Sequence, residues 1–73
     1  MTRLPSVSGR ACRTTLEKAG FVLRRQQGSH MIMRRADPFA QVVVPDHPEL
    51  DRGTLRAIIH EAPRLVEQLV ALL

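Results

Sequence analysis

The stretch RRQQGSHMIMRR, residues 24–35, sets one histidine, His30, in a short apolar run between two pairs of arginines, Arg24 and Arg25 before it and Arg34 and Arg35 after it. These residue types suit phosphate chemistry. Imidazole has an unperturbed pKa of about 6.5, so it takes or gives a proton near neutral pH. Guanidinium groups bind phosphate and stabilise the negative charge that builds up on it during reaction. RNA is cleaved without a metal when a base removes the 2′-OH proton and that oxygen attacks the neighbouring phosphorus. The plainer readings are a half-exposed strand histidine with no role and a solvated sheet edge whose charge resists aggregation. The elements that carry these side chains decide between them.

Ser8 suits a helix N-cap, and Cys12, Leu16 and Ala19 recur at helical spacing up to Gly20, so a first helix is expected over about residues 9–19. It exposes Arg10, Arg13, Glu17 and Lys18. FVLRRQ and SHMIMR, joined by a glycine-containing turn at QG, then read as two antiparallel strands. Side chains alternate along a strand, which puts Phe21, Leu23 and Arg25 on one face and Val22, Arg24 and Gln26 on the other. In the second strand the same rule sets Ser29, Met31 and Met33 against His30, Ile32 and Arg34. His30 is therefore presented with Arg34, away from the methionines, with Arg24 and Arg25 one on each face of the neighbouring strand.

ADPF is a turn and AQVVV a third strand ending at Pro45. After the loop PDHPELDRG, the segment TLRAIIHEA places Leu55, Ile58, Ile59 and Ala62 on one helical face. Pro63 suits the first turn of a further short helix, PRLVEQLVALL, residues 63–73, whose leucines and valines are expected to close the core. The order is α-β-β-β-α with an extra C-terminal helix in a single domain, residues 1–73. Helices at both ends of a three-strand meander cover one sheet face and leave the other open.

Composition narrows the partners. Eleven Lys+Arg against seven Asp+Glu give a net charge of +4, and the isoelectric point is near 11.1, which favours a polyanion such as nucleic acid or else serves solubility. Two Phe with no Trp or Tyr offer almost no platform for stacking unpaired bases, so sequence-specific readout of a single strand is not expected. The start MTRLPSVSGR lacks the apolar core of a signal peptide and no window has the roughly 18 apolar residues of a membrane span, so a cytoplasmic protein with no membrane partner is expected. The lone Cys12 excludes an internal disulfide, and Cys12, His30, His47 and His60 match no compact zinc motif; neither a metal nor a cofactor is expected. His47, in the loop after the third strand, fits either a second acid for the leaving 5′-oxygen or a loop cap and stays outside the catalytic set. His60 reads as a surface or subunit-contact residue. Gly28 permits the hairpin turn, and the Ser29 hydroxyl can bond backbone or phosphate.

LEKAGFVLRRQQGSHMIM, VVVP and HPELDRGTLRAII, taken in order over residues 8–62, resemble the HicA (YcfA-like) toxins of prokaryotic toxin–antitoxin pairs. The resemblance implies a double-stranded-RNA-binding-domain-like α+β fold, an mRNA-cleaving endoribonuclease activity that arrests growth, and neutralisation by a HicB-like antitoxin. It also implies that His30, in the G-S-H segment, is the catalytic histidine. Members often carry a second histidine after it, where this chain has Met31. Arg24, Arg25, Arg34, Ser29 and Gly28 are the candidates for holding RNA phosphate. Self-association and a hetero-oligomer with the antitoxin both remain open. A non-catalytic RNA-binding module is the alternative, and a protein-interaction domain using the apolar C-terminal helix is a third reading.

Overall fold

A computed structural model describes residues 6–65, 67 and 71. Helix α1 spans Gly9–Lys18, strands β1, β2 and β3 span Val22–Gln27, His30–Ala36 and Phe39–Pro45, and helix α2 spans Arg52–Glu61. The strands form one antiparallel sheet in the order β1-β2-β3, so β2 is central. The expected α+β order holds. Of the expected C-terminal helix, Leu65, Glu67 and Ala71 are helical, while Val66, Gln68, Leu69, Val70, Leu72 and Leu73 lie outside the described residues.

Local chemistry accounts for the elements. The Ser8 side chain accepts from the Ala11 N–H at 3.0 Å and starts α1, and Gly20, at φ +95°, follows its end. Asp51 does the same for α2, accepting from the Thr54 N–H at 2.6 Å, which starts that helix two residues earlier than the apolar spacing suggests. Gly28 takes φ +55°, and among the described residues no non-glycine has a positive φ, which fits a two-residue type II′ turn over Gly28 and Ser29. The hairpin turn thus sits one residue later than expected: β1 runs on to Gln27, and His30 rather than Ser29 opens β2.

The buried residues of β2 and β3 alternate along the strands: Met31 and Met33 on one, Ala40, Val42 and Val44 on the other. Cys12 and Leu16 of α1, Leu55 and Ile58 of α2, and Phe21, Leu50, Ala62 and Leu65 complete the core. Each large apolar side chain so buried contributes about 1.5–3 kcal/mol. Arg35 points to this inner side at the rim, its guanidinium 4.8 Å from the Phe21 ring centre and its Nε donating to the Pro38 carbonyl at 2.9 Å, so its charge is spent on structure. Both helices cover this inner face, and no helix among the described residues covers the outer one.

One departure from the expected alternation matters for function. Leu23 pairs with Met33, but the next pair is Arg25 with Ile32, which leaves Arg24 unpaired at a β-bulge. Beyond the bulge the faces of β1 are exchanged. Arg25, expected beside Phe21 and Leu23, stands instead on the outer face, and Gln26 takes the inner side opposite Met31.

Candidate active site

The outer face is laid out in rows by the register. Gln27, His30 and Pro45 form one row, Arg25, Ile32 and Val43 the next, and Val22, Arg34 and Gln41 the one after. His30 is exposed at the start of the central strand, bonded into the ladder from both sides, and so held on a rigid mount. Arg25 is its diagonal neighbour, at a spacing of about 7–8 Å between such positions. Arg34 lies two rows away, about 13 Å along the strand at ~3.3 Å per residue. Its guanidinium is already engaged: Nε and Nη2 donate to Gln41 Oε1 at 3.0 and 2.8 Å, and the group lies 5.9 Å from the Phe39 ring centre. Arg24 and Arg25 are exposed and make no hydrogen bond or ion pair among the described residues. The expected pairing of His30 with Arg34 holds for the face, but Arg25 is the nearer cation with a free guanidinium.

The turn beside His30 is braced. Gln26 Nε2 donates to the Gly28 carbonyl at 3.1 Å, and the Ser29 carbonyl accepts from the Asp46 N–H at 2.6 Å. A Cβ on Gly28 would meet nothing, so glycine is required there by its φ alone. The Ser29 side chain is exposed and free of protein partners among the described residues.

The other end of that brace reaches α1. His47 is exposed, and its carbonyl accepts from the Gly9 N–H at 2.8 Å. Gly9 is packed against the chain at Pro45 and Asp46, where any Cβ would fall well inside contact with the Pro45 carbonyl oxygen. Arg10 Nε bonds Asp46 Oδ1 at 3.2 Å, and Ser6 Oγ donates to Glu49 Oε1 at 2.7 Å. Hydrogen bonds from the Thr54 N–H and hydroxyl lower the Asp51 carboxyl from its ordinary value, and the neighbouring His47 adds a smaller effect in the same direction.

Cys12 and His60 lie apart from this region. Burial on the core side of α1 pushes the Cys12 thiol up to about 11, and His60 borders a cleft between α2 and the Gln41–Val43 stretch of β3. Among the described residues no three His, Cys, Asp or Glu side chains converge as metal ligands, and no helix is long and apolar enough to cross a membrane.

The fold and this site define a small α+β domain that presents an exposed histidine and free arginines on an open, uncharged-to-basic sheet. The family described as "HicA toxin of bacterial toxin-antitoxin" matches residues 9–63, and the chain belongs to it. It is thus a toxin of a toxin–antitoxin pair, which implies a cognate antitoxin. Searches of the curated proteins and of the solved structures returned no match.

Proposed function

We propose that this protein is an endoribonuclease that cleaves mRNA, with His30 moving the proton of the reacting 2′-hydroxyl and Arg25 stabilising charge on the scissile phosphate. The observation that carries this reading is the bulge at Arg24, which turns Arg25 onto the face of the one exposed strand histidine. Arg24 and the backbone and hydroxyl of Gly28–Ser29 stand next to the same end of the sheet and would hold the flanking phosphates, with Arg34 further along the strand. Attack by the 2′-oxygen leaves a 2′,3′-cyclic phosphate and a free 5′-hydroxyl.

The antitoxin, in this reading a HicB-like protein, covers His30. The outer face supports a protein partner: Phe39, Val22 and Val43 are 69, 59 and 46% exposed on it, beside Arg25 and Arg34, which an RNA alone does not require.

Induction of the His30→Ala protein without antitoxin tests the activity. Loss of growth arrest and intact mRNA are expected; undiminished arrest and RNA loss would overturn the reading. Purified protein that binds RNA in a salt-dependent way yet never cleaves it would mark a non-catalytic RNA-binding module instead.

A further inference from the structure

In-line cleavage of RNA needs two proton transfers on opposite sides of the phosphorus. One group takes the proton from the 2′-oxygen, and another delivers a proton to the departing 5′-oxygen. A single rigidly mounted imidazole cannot reach both within the ~2.6–3.2 Å that proton transfer requires. A second donor close to His30 is therefore needed if the protein works as proposed above.

The structure brings one there. The Asp46 N–H bonds the Ser29 carbonyl, so the antiparallel ladder between β2 and β3 continues one step past Pro45, the partner of His30. The backbone stays extended past the strand's end, with the Pro45 and His47 carbonyls both turned toward Gly9; Val44 is buried, Asp46 is half-buried and turned toward α1 with its carboxylate on Arg10, and His47 is exposed. Since Asp46 points to the helix side, Pro45 and His47 on either side of it point to the open face. His47 is thereby the diagonal neighbour of His30, at the ~7–8 Å spacing that leaves room for one phosphodiester between two imidazoles. Its backbone is fixed from both directions, by Asp46 on the hairpin and by Gly9 on α1.

The other acids at this end are already occupied. Asp46 is held by Arg10, Glu49 accepts from Ser6, and Asp51 caps α2. His60 stands beside Gln41 and Val43 instead.

We infer that His47 is the general acid of the reaction, the partner of His30 as base. His30 accepts the 2′-OH proton as the new O2′–P bond forms; protonated His47 gives its proton to the 5′-oxygen as the P–O5′ bond breaks. His30 ends protonated and His47 neutral, and exchange with water restores both. This rests on the ribonuclease reading, and Arg25 keeps its place at the phosphate.

The test compares an RNA that the wild-type protein cleaves with the same RNA carrying sulfur in place of the bridging 5′-oxygen at the cleaved bond. A thiolate leaves without a proton. His47→Ala is expected to slow cleavage of the oxygen substrate by about 10²–10⁴-fold and of the sulfur substrate by less than about tenfold, whereas His30→Ala slows both. Equal slowing of both substrates by His47→Ala, or slowing of neither, overturns the assignment while leaving His30 in place. Absence of cleavage by the wild type, or full activity of His30→Ala, overturns the ribonuclease reading and this inference with it. His47 contributes only its carbonyl to the contact with Gly9, so His47→Ala retains that bond, and an unchanged thermal melt confirms that the variant is folded.

Discussion

His30 and Met31 are adjacent in the chain and differ in almost everything else. Met31 is 1% exposed and packs under the helices; His30 is exposed on a bare sheet face with no side-chain partner among the described residues. The inner face of the sheet is spent on cohesion: Phe21, Met31, Met33, Ala40, Val42 and Val44 belong to the core, and even its arginine, Arg35, is tied to Phe21 and Pro38. The outer face holds polar and apolar groups that the fold does not use. A small domain has few positions to spare, so one strand serves both purposes through alternation alone.

Substitutions on the two faces should therefore separate activity from stability. The largest effect is expected from His30→Ala, a loss of about 10²–10⁴-fold in RNA cleavage with the melting temperature unchanged; a comparable loss of stability would erase the distinction between the faces. Met31→Ala should do the reverse, costing about 2–5 kcal/mol in denaturant unfolding by opening a cavity beneath α1. Among the outer arginines, Arg25→Ala should slow cleavage by about 10²-fold and Arg34→Ala by no more than a few-fold, because Arg34 is committed to Gln41. Equal effects would show that the bulge does not select between them. Gly9→Ala should lower both activity and stability, since the Pro45–His47 backbone must shift to admit the methyl group.

Smaller effects come from the covered side. Ser8→Ala removes the cap of α1 and should cost about 1 kcal/mol with cleavage unaffected. Cys12 adds a pH dependence. Its folded pKa of about 11 lies above the unfolded value near 9, so the neutral thiol favours the fold below pH 9, and that contribution is lost as the pH rises from 9 to 11. Unfolding titrations of wild type and Cys12→Ala across that range should converge; iodoacetamide should label Cys12 only in the unfolded chain.

Much of this was legible in the residues themselves. The caps at Ser8 and Gly20, the hairpin glycine, and the opposition of His30 to Met31 and Met33 all follow from local propensity and a period of two. Asp51 was legible too, as an acceptor three residues before Thr54, but the apolar spacing drew attention to Thr54 instead. Strict alternation puts Arg25 on the inner face, and the structure turns it outward because one extra residue, Arg24, interrupts the ladder. Nothing in the LRRQ run marks a bulge at Arg24, since no glycine or proline stands there. His47 was visible as a loop histidine with two equal readings.

What the sequence by itself determined is therefore the order of elements, the buried stripe, and the fact that His30 faces away from it, because each depends on neighbours within a few residues. The tertiary structure decided which arginine stands beside His30 and how the Asp46–His47 backbone is anchored to the hairpin and to α1. Those choices depend on register across strands and on the bonds from Asp46 to Ser29 and from Gly9 to His47, made between residues 17 and 38 positions apart. Backbone hydrogen bonds of that range leave no local periodicity, and only the folded chain contains them.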